Sequence, residues 1–235
     1  LEPTLTGQLY METPEGFYLL MKKLPGEHIW DVFSQDYRGI ADTTGQVTAD
    51  IHSALASIKG VPEHVQTMEE ELRGWVHTEL ATGIWVSNDD WATLTQSLFS
   101  LYPALPKQYI HRDLHYGNML FEGNQLTGIL DFDLGKWDAR LFDLAYFLLG
   151  QLLGYQEHMV QQQWLCFIHD YVAAYEKNLP LQQVEKAALA LMMQGIELLF
   201  VAFWQQQGQP KEAEEALALY SFAKRNAGMI REAIQ

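Results

Sequence analysis

The chain has 235 residues, of which 48% are hydrophobic, and its formal net charge is −15 at pH 7. This length and apolar content suffice for a substantial core, whereas the surplus of acid argues against a nucleic-acid partner, because phosphate binding requires clustered Lys and Arg. The acidic balance is compatible with a cationic small molecule.

Two short strand-like runs open the chain, at 7–11 and 16–21, on either side of the turn-forming sequence Thr13-Pro14-Glu15-Gly16. The second run leads into KKLPGEH, which as an isolated pattern indicates a strand ending at Pro25-Gly26. Farther on, apolar residues three and four apart predict a helix at 47–59.

The middle of the chain predicts a helix and then a hairpin. Asp89 is the expected N-cap of a helix that ends at Tyr102, just before two prolines. The apolar runs 118–121 and 126–130 flank Glu122-Gly123-Asn124, and they predict a tight hairpin because Gly and Asn tolerate a positive φ.

The pattern of the remaining chain predicts helices, the first of them strongly apolar and expected to be buried: 140–153, 156–177, 181–206 and 210–234. Aromatic residues recur at helical spacing within 156–177, and such a stripe predicts core packing: Trp164, Phe167, Tyr171 and Tyr175.

The one cysteine, Cys166, lies in an apolar run, so an internal disulfide is excluded and a buried thiol is expected. A single free thiol favours a reducing, cytoplasmic location. We see no basic-then-apolar leader and no long uncharged apolar stretch, so we expect no membrane partner.

The chemistry is concentrated around the hairpin. His111, Asp113 and Asn118 form an H-x-D-x4-N pattern, and Asp131 follows the hairpin's second run. Folding of the hairpin should bring Asn118 and Asp131 together at its open end. An amide oxygen beside a carboxylate suits Mg²⁺, which takes few protein ligands together with phosphate oxygens. Asp113, on the loop that enters the hairpin, is placed to accept a proton from a hydroxyl nucleophile.

These motifs resemble the aminoglycoside phosphotransferase and choline kinase family, which has a protein-kinase-like fold. HRDLHYGNMLF is similar to the family's H-G-D-x-H-x-x-N-x-L loop, ILDFD to its metal-binding strand end, and FDLAYFL to the helix that follows. The resemblance implies that Asp113 is the catalytic base, that Asn118 and Asp131 bind Mg²⁺, and that His111 and Asp143 support the loop structurally.

A second resemblance concerns the nucleotide. YLLMKKLPGE is similar to the family's strand-to-hinge connection, whose backbone holds the base of ATP or GTP. The resemblance implies a cofactor-binding set composed of Met21, Lys22, Lys23, Leu24 and Leu120.

The implied fold is α+β. Residues 1–24 would be the last strands and hinge of an N-terminal β lobe, and 25–235 a helical C-terminal lobe. No Gly-rich loop and no strand Lys precede the hinge in this sequence, so most of the N-terminal lobe is expected to be lacking.

The spacing between two aspartates indicates the class of acceptor. Asp143 follows Asp131 by only 143 − 131 = 12 residues, which leaves no room for the activation segment with which protein kinases dock peptides. We therefore expect a small hydroxyl-bearing acceptor. Asp133 and Asp138 could bind a cationic acceptor or could be solvated turn residues. Glu197, among the apolar residues GIELLF, is either paired in the core or lines the acceptor pocket.

Two other functions stay open at this stage. His111, Asp113 and His115 alternate in HRDLH and could hold Zn²⁺ in a metal-dependent hydrolase. The absence of a phosphate-clamping Lys also permits a non-catalytic, kinase-like binding protein or an inactive fragment.

Overall fold

The computed structural model describes residues 1–61, 65–81, 85–154 and 157–235. The strands are β1 Met11–Thr13, β2 Gly16–Tyr18, β3 Lys107–Ile110, β4 Met119–Glu122, β5 Gln125–Ile129 and β6 Lys136–Ala139. The helices are α1 Tyr37–Leu55, α2 Met68–Glu71, α3 His77–Ala81, α4 Asn88–Leu101, α5 Leu141–Gly150, α6 Glu157–Glu176, α7 Gln183–Gln206, α8 Pro210–Arg225 and α9 Ala227–Ala233. A π-helical turn, Leu72–Val76, joins α2 to α3. Position 156, where a helix was predicted to begin, lies outside the described residues.

The strands of the described residues form three antiparallel pairs, β1 with β2, β3 with β6, and β4 with β5. The predicted hairpin is confirmed, since Met119 pairs with Ile129 and Glu122 pairs with Gln125 across a turn in which Gly123 has φ +60°. The β3–β6 pair was not predicted, because four-residue strands in KQYI and KWDA lack an apolar alternation long enough to identify. This pair brackets the loop and hairpin that carry the predicted chemistry.

Several predicted boundaries were wrong. The first strand is Met11–Thr13 and not 7–11, since the pairing begins next to the turn. Helix α1 begins at Tyr37, ten residues before the predicted start, because the side chain of Asp36 accepts from Gly39 N and caps it. Ser87, and not Asp89, caps α4 by accepting from Asp90 N. The predicted helix 210–234 is divided at Asn226.

The core lies among α1, α5, α6 and α7. The predicted aromatic stripe of α6 is completely buried and packs through ring contacts, Phe147 of α5 stacking on Tyr171 with centroids 5.1 Å apart. Helix α5 is largely buried, as predicted. Cys166 is only half-buried, which corrects the expectation of a buried thiol.

Helix α7 is long and apolar enough to cross a membrane by length and composition, although it is not uncharged, since it carries Glu185, Lys186 and Glu197. Its apolar window is 67% buried against other parts of the chain. Burial of this kind is what a core helix shows. Helix α7 packs against α4, α5 and α8.

The segment after β2 crosses the β4–β5 hairpin. Glu27 and Phe121 exchange both backbone hydrogen bonds, at 2.9 and 2.8 Å, and Thr127 Oγ1 donates to Pro25 O at 2.6 Å. Gly26 has φ +108°, and a Cβ there would lie 2.9 Å from Phe121 O. Glycine is therefore required for this close crossing.

Candidate active site

The loop between β3 and β4 has a strained backbone that a buried carboxylate holds in place. Arg112 adopts φ +72°, a left-handed conformation that is costly for a residue with a side chain. The two oxygens of Asp143 accept the amide hydrogens of His111 and Arg112, each at 2.8 Å. Asp143 lies in the first turn of α5 and is completely buried.

His111 connects this loop to the hairpin. Its Nδ1 accepts from Asp113 N at 3.3 Å, and its Nε2 donates to Leu130 O at 2.9 Å. The ring also contacts Phe132, with centroids 4.4 Å apart. Because both ring nitrogens have backbone partners, His111 fixes the position of Asp113 relative to the residues on either side of Asp131.

Asp113 is oriented by three side chains. Oδ2 accepts from Asn118 Nδ2 at 3.0 Å and lies 3.5 Å from His115 Nε2, and Oδ1 accepts from the Tyr146 hydroxyl at 3.1 Å. The hydrogen bond from His115, followed by those from Tyr146 and Asn118, lowers the pKa of Asp113 below its ordinary value despite partial burial. The side chain remains 23% exposed, so an ionised carboxylate reaches the surface in a fixed orientation.

Asn118 and Asp131 flank the open end of the hairpin, where Leu130 N, one residue before Asp131, donates to Asn118 O at 2.9 Å. Asn118 uses Nδ2 on Asp113, so its carbonyl oxygen is the atom that remains for a cation. Asp131 is exposed and has φ +60°. A carboxylate and an amide oxygen provide the hard donors that Mg²⁺ prefers, with further positions left for phosphate or water.

The zinc-site hypothesis is not supported. Both nitrogens of His111 bond backbone groups, and Nδ1 of His115 accepts from Gly117 N at 3.0 Å. Within the described ranges, no group of three or more His, Cys, Asp or Glu side chains could hold a metal ion.

Asp138 does not have the acceptor role considered for it. Its carboxylate is completely buried, where it accepts from Met68 N at 2.8 Å and from the Tyr102 hydroxyl, and pairs with Arg112 at 3.3 Å. Desolvation raises the pKa of Asp138. A buried carboxylate with these partners ties β6 to α2 and to the catalytic loop, and it has no surface to offer a ligand.

Arg112, which stands where the resembled family has a small residue, joins the same network. Its guanidinium bonds Glu71 Oε2 at 2.6 Å and lies 4.2 Å from the centre of the Phe142 ring. Lys136 Nζ bonds the same Glu71 oxygen at 3.0 Å.

A cavity of about 220 Å³ has Tyr146 in its wall, and the Tyr146 hydroxyl donates to Asp113. Three carboxylates and three aromatic rings line this acidic pocket, together with small and aliphatic residues: Tyr146, Gly150, Leu153, Glu197, Phe200, Trp204, Glu212, Glu215, Ala216 and Leu219. Tyr146 and Phe200 stack, with centroids 5.8 Å apart.

Glu197 faces this acidic pocket from α7. It is 6% exposed, and burial raises its pKa to about 8. Of the two interpretations of Glu197, the structure favours the pocket wall over a paired core residue. Asp133, by contrast, is exposed on the loop after Asp131, and its amide donates to Asp131 Oδ1 at 3.4 Å.

The candidate nucleotide-binding residues lie on the other side of the hairpin. Met21, Lys22 and Lys23 are exposed, whereas Leu24 packs directly on Gly128, the strand partner of Leu120. The hinge and Leu120 are therefore brought to the same hairpin.

Sequence reasoning missed three residues of the site: His52, Tyr146 and Tyr175. The structure connects them to Asp143 and Asp113. Tyr146 could have been found from the sequence, because it follows Asp143 by one helical turn and the two side chains must lie on the same face of the helix. His52 had none, since its contact with Asp143 spans 91 positions.

Comparison with known proteins identifies the family of this chain. Residues 3–188 match the model of the phosphotransferase enzyme family. The homoserine kinase of Zymomonas mobilis subsp. mobilis is 30% identical over 115 residues, which are 46% of this chain and 33% of that protein. The homoserine kinase of Afipia carboxidovorans is 34% identical over 108 residues, 42% of this chain and 29% of that protein. The chain thus spans about a third of the length of the curated relatives it matches.

Solved structures share the fold at low identity. The GDP complex of aminoglycoside 2'-phosphotransferase-IIIa has a TM-score of 0.67 at 15% identity, over 93% of this chain and 74% of that one. Amicoumacin kinase hAmiN, in complex with AMP-PNP, Ca²⁺ and Ami, has a TM-score of 0.66 at 14% identity, over 94% and 70%. A choline/ethanolamine kinase family protein from Mesorhizobium loti gives 0.65 at 13%, over 96% and 76%. The α+β, kinase-like fold expected from the sequence is confirmed.

The burial of Glu197 predicts a pH-dependent stability. A glutamate in the unfolded chain ionises near 4.5, whereas the pKa of folded Glu197 is raised to about 8. Between these values the folded state binds the extra proton, so the free energy of unfolding should fall as pH rises, by up to about 1.4 kcal/mol per pH unit. Glu197→Gln should remove this decline, so its free energy of unfolding should increase relative to that of the wild type as the pH rises from 4.5 to about 8. Urea unfolding at several pH values measures this difference. Glu215→Gln, at an exposed carboxylate of the same pocket, is the control, and equal profiles for the two variants would contradict the prediction.

Proposed function

Because the chain belongs to the phosphotransferase enzyme family, we propose that it acts as a small-molecule kinase that transfers the γ-phosphoryl group of ATP or GTP to the hydroxyl of a small amino alcohol. The observation that carries this proposal is the orientation of Asp113, which three side chains fix beside the Asn118–Asp131 end of the hairpin.

In this proposal Asp113 is the base. Its carboxylate accepts the proton of the acceptor hydroxyl while the hydroxyl oxygen attacks the γ-phosphorus in line, and the nucleoside diphosphate leaves. The lowered pKa of Asp113 keeps the carboxylate ionised at neutral pH. The hydrogen bonds from Asn118 and Tyr146 hold its two oxygens in one orientation, and phosphoryl transfer depends chiefly on such positioning.

Asn118 and Asp131 would hold Mg²⁺ through a carbonyl oxygen and a carboxylate. The ion would supply neutralisation of the phosphate charge. On the far side of the hairpin, the backbone of 21–24 and the side chain of Leu120 would receive the nucleotide base. AMP-PNP and GDP complexes among the structural neighbours support a nucleotide co-substrate without selecting the base.

The acceptor would occupy the acidic pocket. At about 220 Å³, its volume lies below the roughly 300–1,000 Å³ typical of pockets for drug-sized ligands, so a compact molecule fits better than a multi-ring aminoglycoside. Glu212 and Glu215 favour a protonated amine, which would also stabilise the ionised form of Glu197, and the aromatic walls add a cation–π component. Tyr146 spans the distance between this pocket and Asp113. Homoserine, named in the curated relatives, is a compact hydroxy amino acid that carries both a hydroxyl and a protonated amine.

The assignment of the base predicts the effect of Asp113→Asn. The amide cannot accept the hydroxyl proton, so turnover should fall by about 10²–10⁴-fold, while the nucleotide dissociation constant stays within about twofold because Asp113 does not contact the metal in this scheme. Asp133→Asn, on the neighbouring exposed loop, is the control and should keep its turnover. Unchanged turnover in Asp113→Asn would refute the assignment. Nucleotide binding without turnover in the wild type would instead favour a non-catalytic binding protein.

The metal assignment predicts the effect of Asp131→Ala. Loss of the carboxylate should abolish the Mg²⁺-dependent part of nucleotide binding, because the cation loses one of its two protein ligands. Calorimetric titration of nucleotide in the presence of Mg²⁺, and again with excess EDTA, measures this part. Asp133→Ala, two residues farther along the same loop, should retain it. A normal Mg²⁺ dependence in Asp131→Ala would rule out this residue as a ligand.

The acceptor class can be tested with homoserine and its N-acetyl derivative. The free amine should be preferred, and Glu197→Gln should raise its KM by roughly 10–100-fold, the range expected for loss of one charged hydrogen bond. The same variant should leave the KM of the N-acetyl compound nearly unchanged. If the wild-type protein uses both compounds equally well, Glu197 does not recognise an amine.

A further inference from the structure

We propose that His52 is a positioning residue of the catalytic loop, which it holds through Asp143. Its effect on turnover rests on the proposed kinase function, whereas its effect on the loop backbone does not. His52 lies in α1, distant in sequence from every residue of the site, and its side chain is completely buried.

Both nitrogens of the His52 ring have partners on other helices. Nε2 lies 3.1 Å from Asp143 Oδ2, and Nδ1 lies 2.9 Å from the Tyr175 hydroxyl. Since Asp143 accepts, Nε2 carries the hydrogen, and Nδ1 then accepts the hydroxyl hydrogen of Tyr175. The order of donation is therefore Tyr175 to His52 to Asp143, and it runs from α6 through α1 to α5.

Asp143 transmits this arrangement to the loop. Oδ2 accepts from both His52 and the amide of His111, while Oδ1 accepts from the amide of Arg112. A completely buried carboxylate needs hydrogen-bond donors for its lone pairs, and His52 of α1 is a side chain that supplies one. The amides that Asp143 holds belong to the two residues immediately before Asp113.

The strain in the loop makes this support necessary. Asp143 helps to hold Arg112 at φ +72°, because its carboxylate accepts the Arg112 amide hydrogen. Without the His52 donor, the Asp143 carboxylate would be free to turn toward other partners, and the loop could relax toward a right-handed conformation. Asp113 would then shift relative to Asn118, and a misplacement of about 1 Å can cost roughly 10²-fold in rate.

Two further hydrogen bonds hold α1, the helix of His52, against β3 and α6. The backbone carbonyl of His52 accepts from Gln108 Nε2 of β3 at 2.7 Å, so α1 is tied to the strand that leads into the loop. One turn earlier in α1, Thr48 Oγ1 accepts from the Tyr171 hydroxyl of α6 at 2.8 Å. This second bond crosses the same α1–α6 interface and does not contact Asp143, which makes Tyr171 a matched control.

The experiment compares His52→Leu, which fills the space without a donor, with His52→Gln, which restores an N–H near the position of Nε2. Exchange of the His111 and Arg112 amide hydrogens is followed by NMR, and kcat and both KM values are measured on the same samples. His52→Leu should accelerate exchange of these two amides at least about tenfold relative to core amides and lower kcat by roughly 10–100-fold, with KM within about twofold. His52→Gln should recover most of both losses.

Tyr171→Phe should lower the melting temperature without accelerating exchange at His111 and Arg112 and without changing kcat. Unchanged exchange in His52→Leu, or equal behaviour of the Leu, Gln and Tyr171→Phe variants, would overturn the proposal and leave His52 a packing residue. If no kinase activity is found for the wild type, the proposed function fails and the exchange measurement still decides the role of His52.

If His52→Leu does not fold, Tyr175→Phe replaces it, since it removes only the outer bond to His52. Faster exchange at His111 and Arg112 in Tyr175→Phe, but not in Tyr171→Phe, would support the proposal. The same exchange rates in both tyrosine variants would overturn it.

Discussion

The site depends on one buried carboxylate. Asp143 holds two consecutive backbone amides of the candidate catalytic loop, and one of them belongs to Arg112 in a left-handed conformation. A carboxyl group in the core is tolerated only when hydrogen-bond partners surround it, and here they come from the loop and from His52. The shape of the loop is therefore tied to the packing of α1, α5 and α6. Catalytic residues on loops gain precision when a rigid core fixes the loop in this way.

His111 extends the same constraint to the hairpin. Through one ring it bonds the backbone of Asp113 and of Leu130, so the candidate base and the candidate metal ligand Asp131 are held as a unit. The Arg112 side chain also connects the loop to Glu71 and Asp138 through ion pairs. The replacement of a small residue by Arg112 is thus accompanied by two carboxylates that satisfy its charge, and the network braces the loop instead of contacting a ligand.

The acidic pocket is built differently from the loop. Its walls come chiefly from α5, α7 and α8, and among the described residues Tyr146 alone belongs to both the pocket and the hydrogen-bond network of Asp113. In the proposed function, acceptor preference could therefore change through the late helices without disturbing the loop. Burial of Glu197 in an apolar wall disfavours its ionised form and raises its pKa, and a protonated amine bound beside it would stabilise the carboxylate.

The sequence by itself determined the local parts of this protein: the hairpin from its two apolar runs and Gly turn, the helices of the second half from their periodicity, and the H-x-D-x4-N pattern with its kinase-like resemblance. Only the tertiary structure decided the start of α1, the pairing of β3 with β6, the burial of Asp138, and the links from His52 and Tyr146 to the two aspartates. The reason is physical. Turn chemistry and hydrophobic period act over a few residues and can be read along the chain. The partner of a buried polar group is chosen by which helices pack together, and no spacing in the sequence encodes that choice.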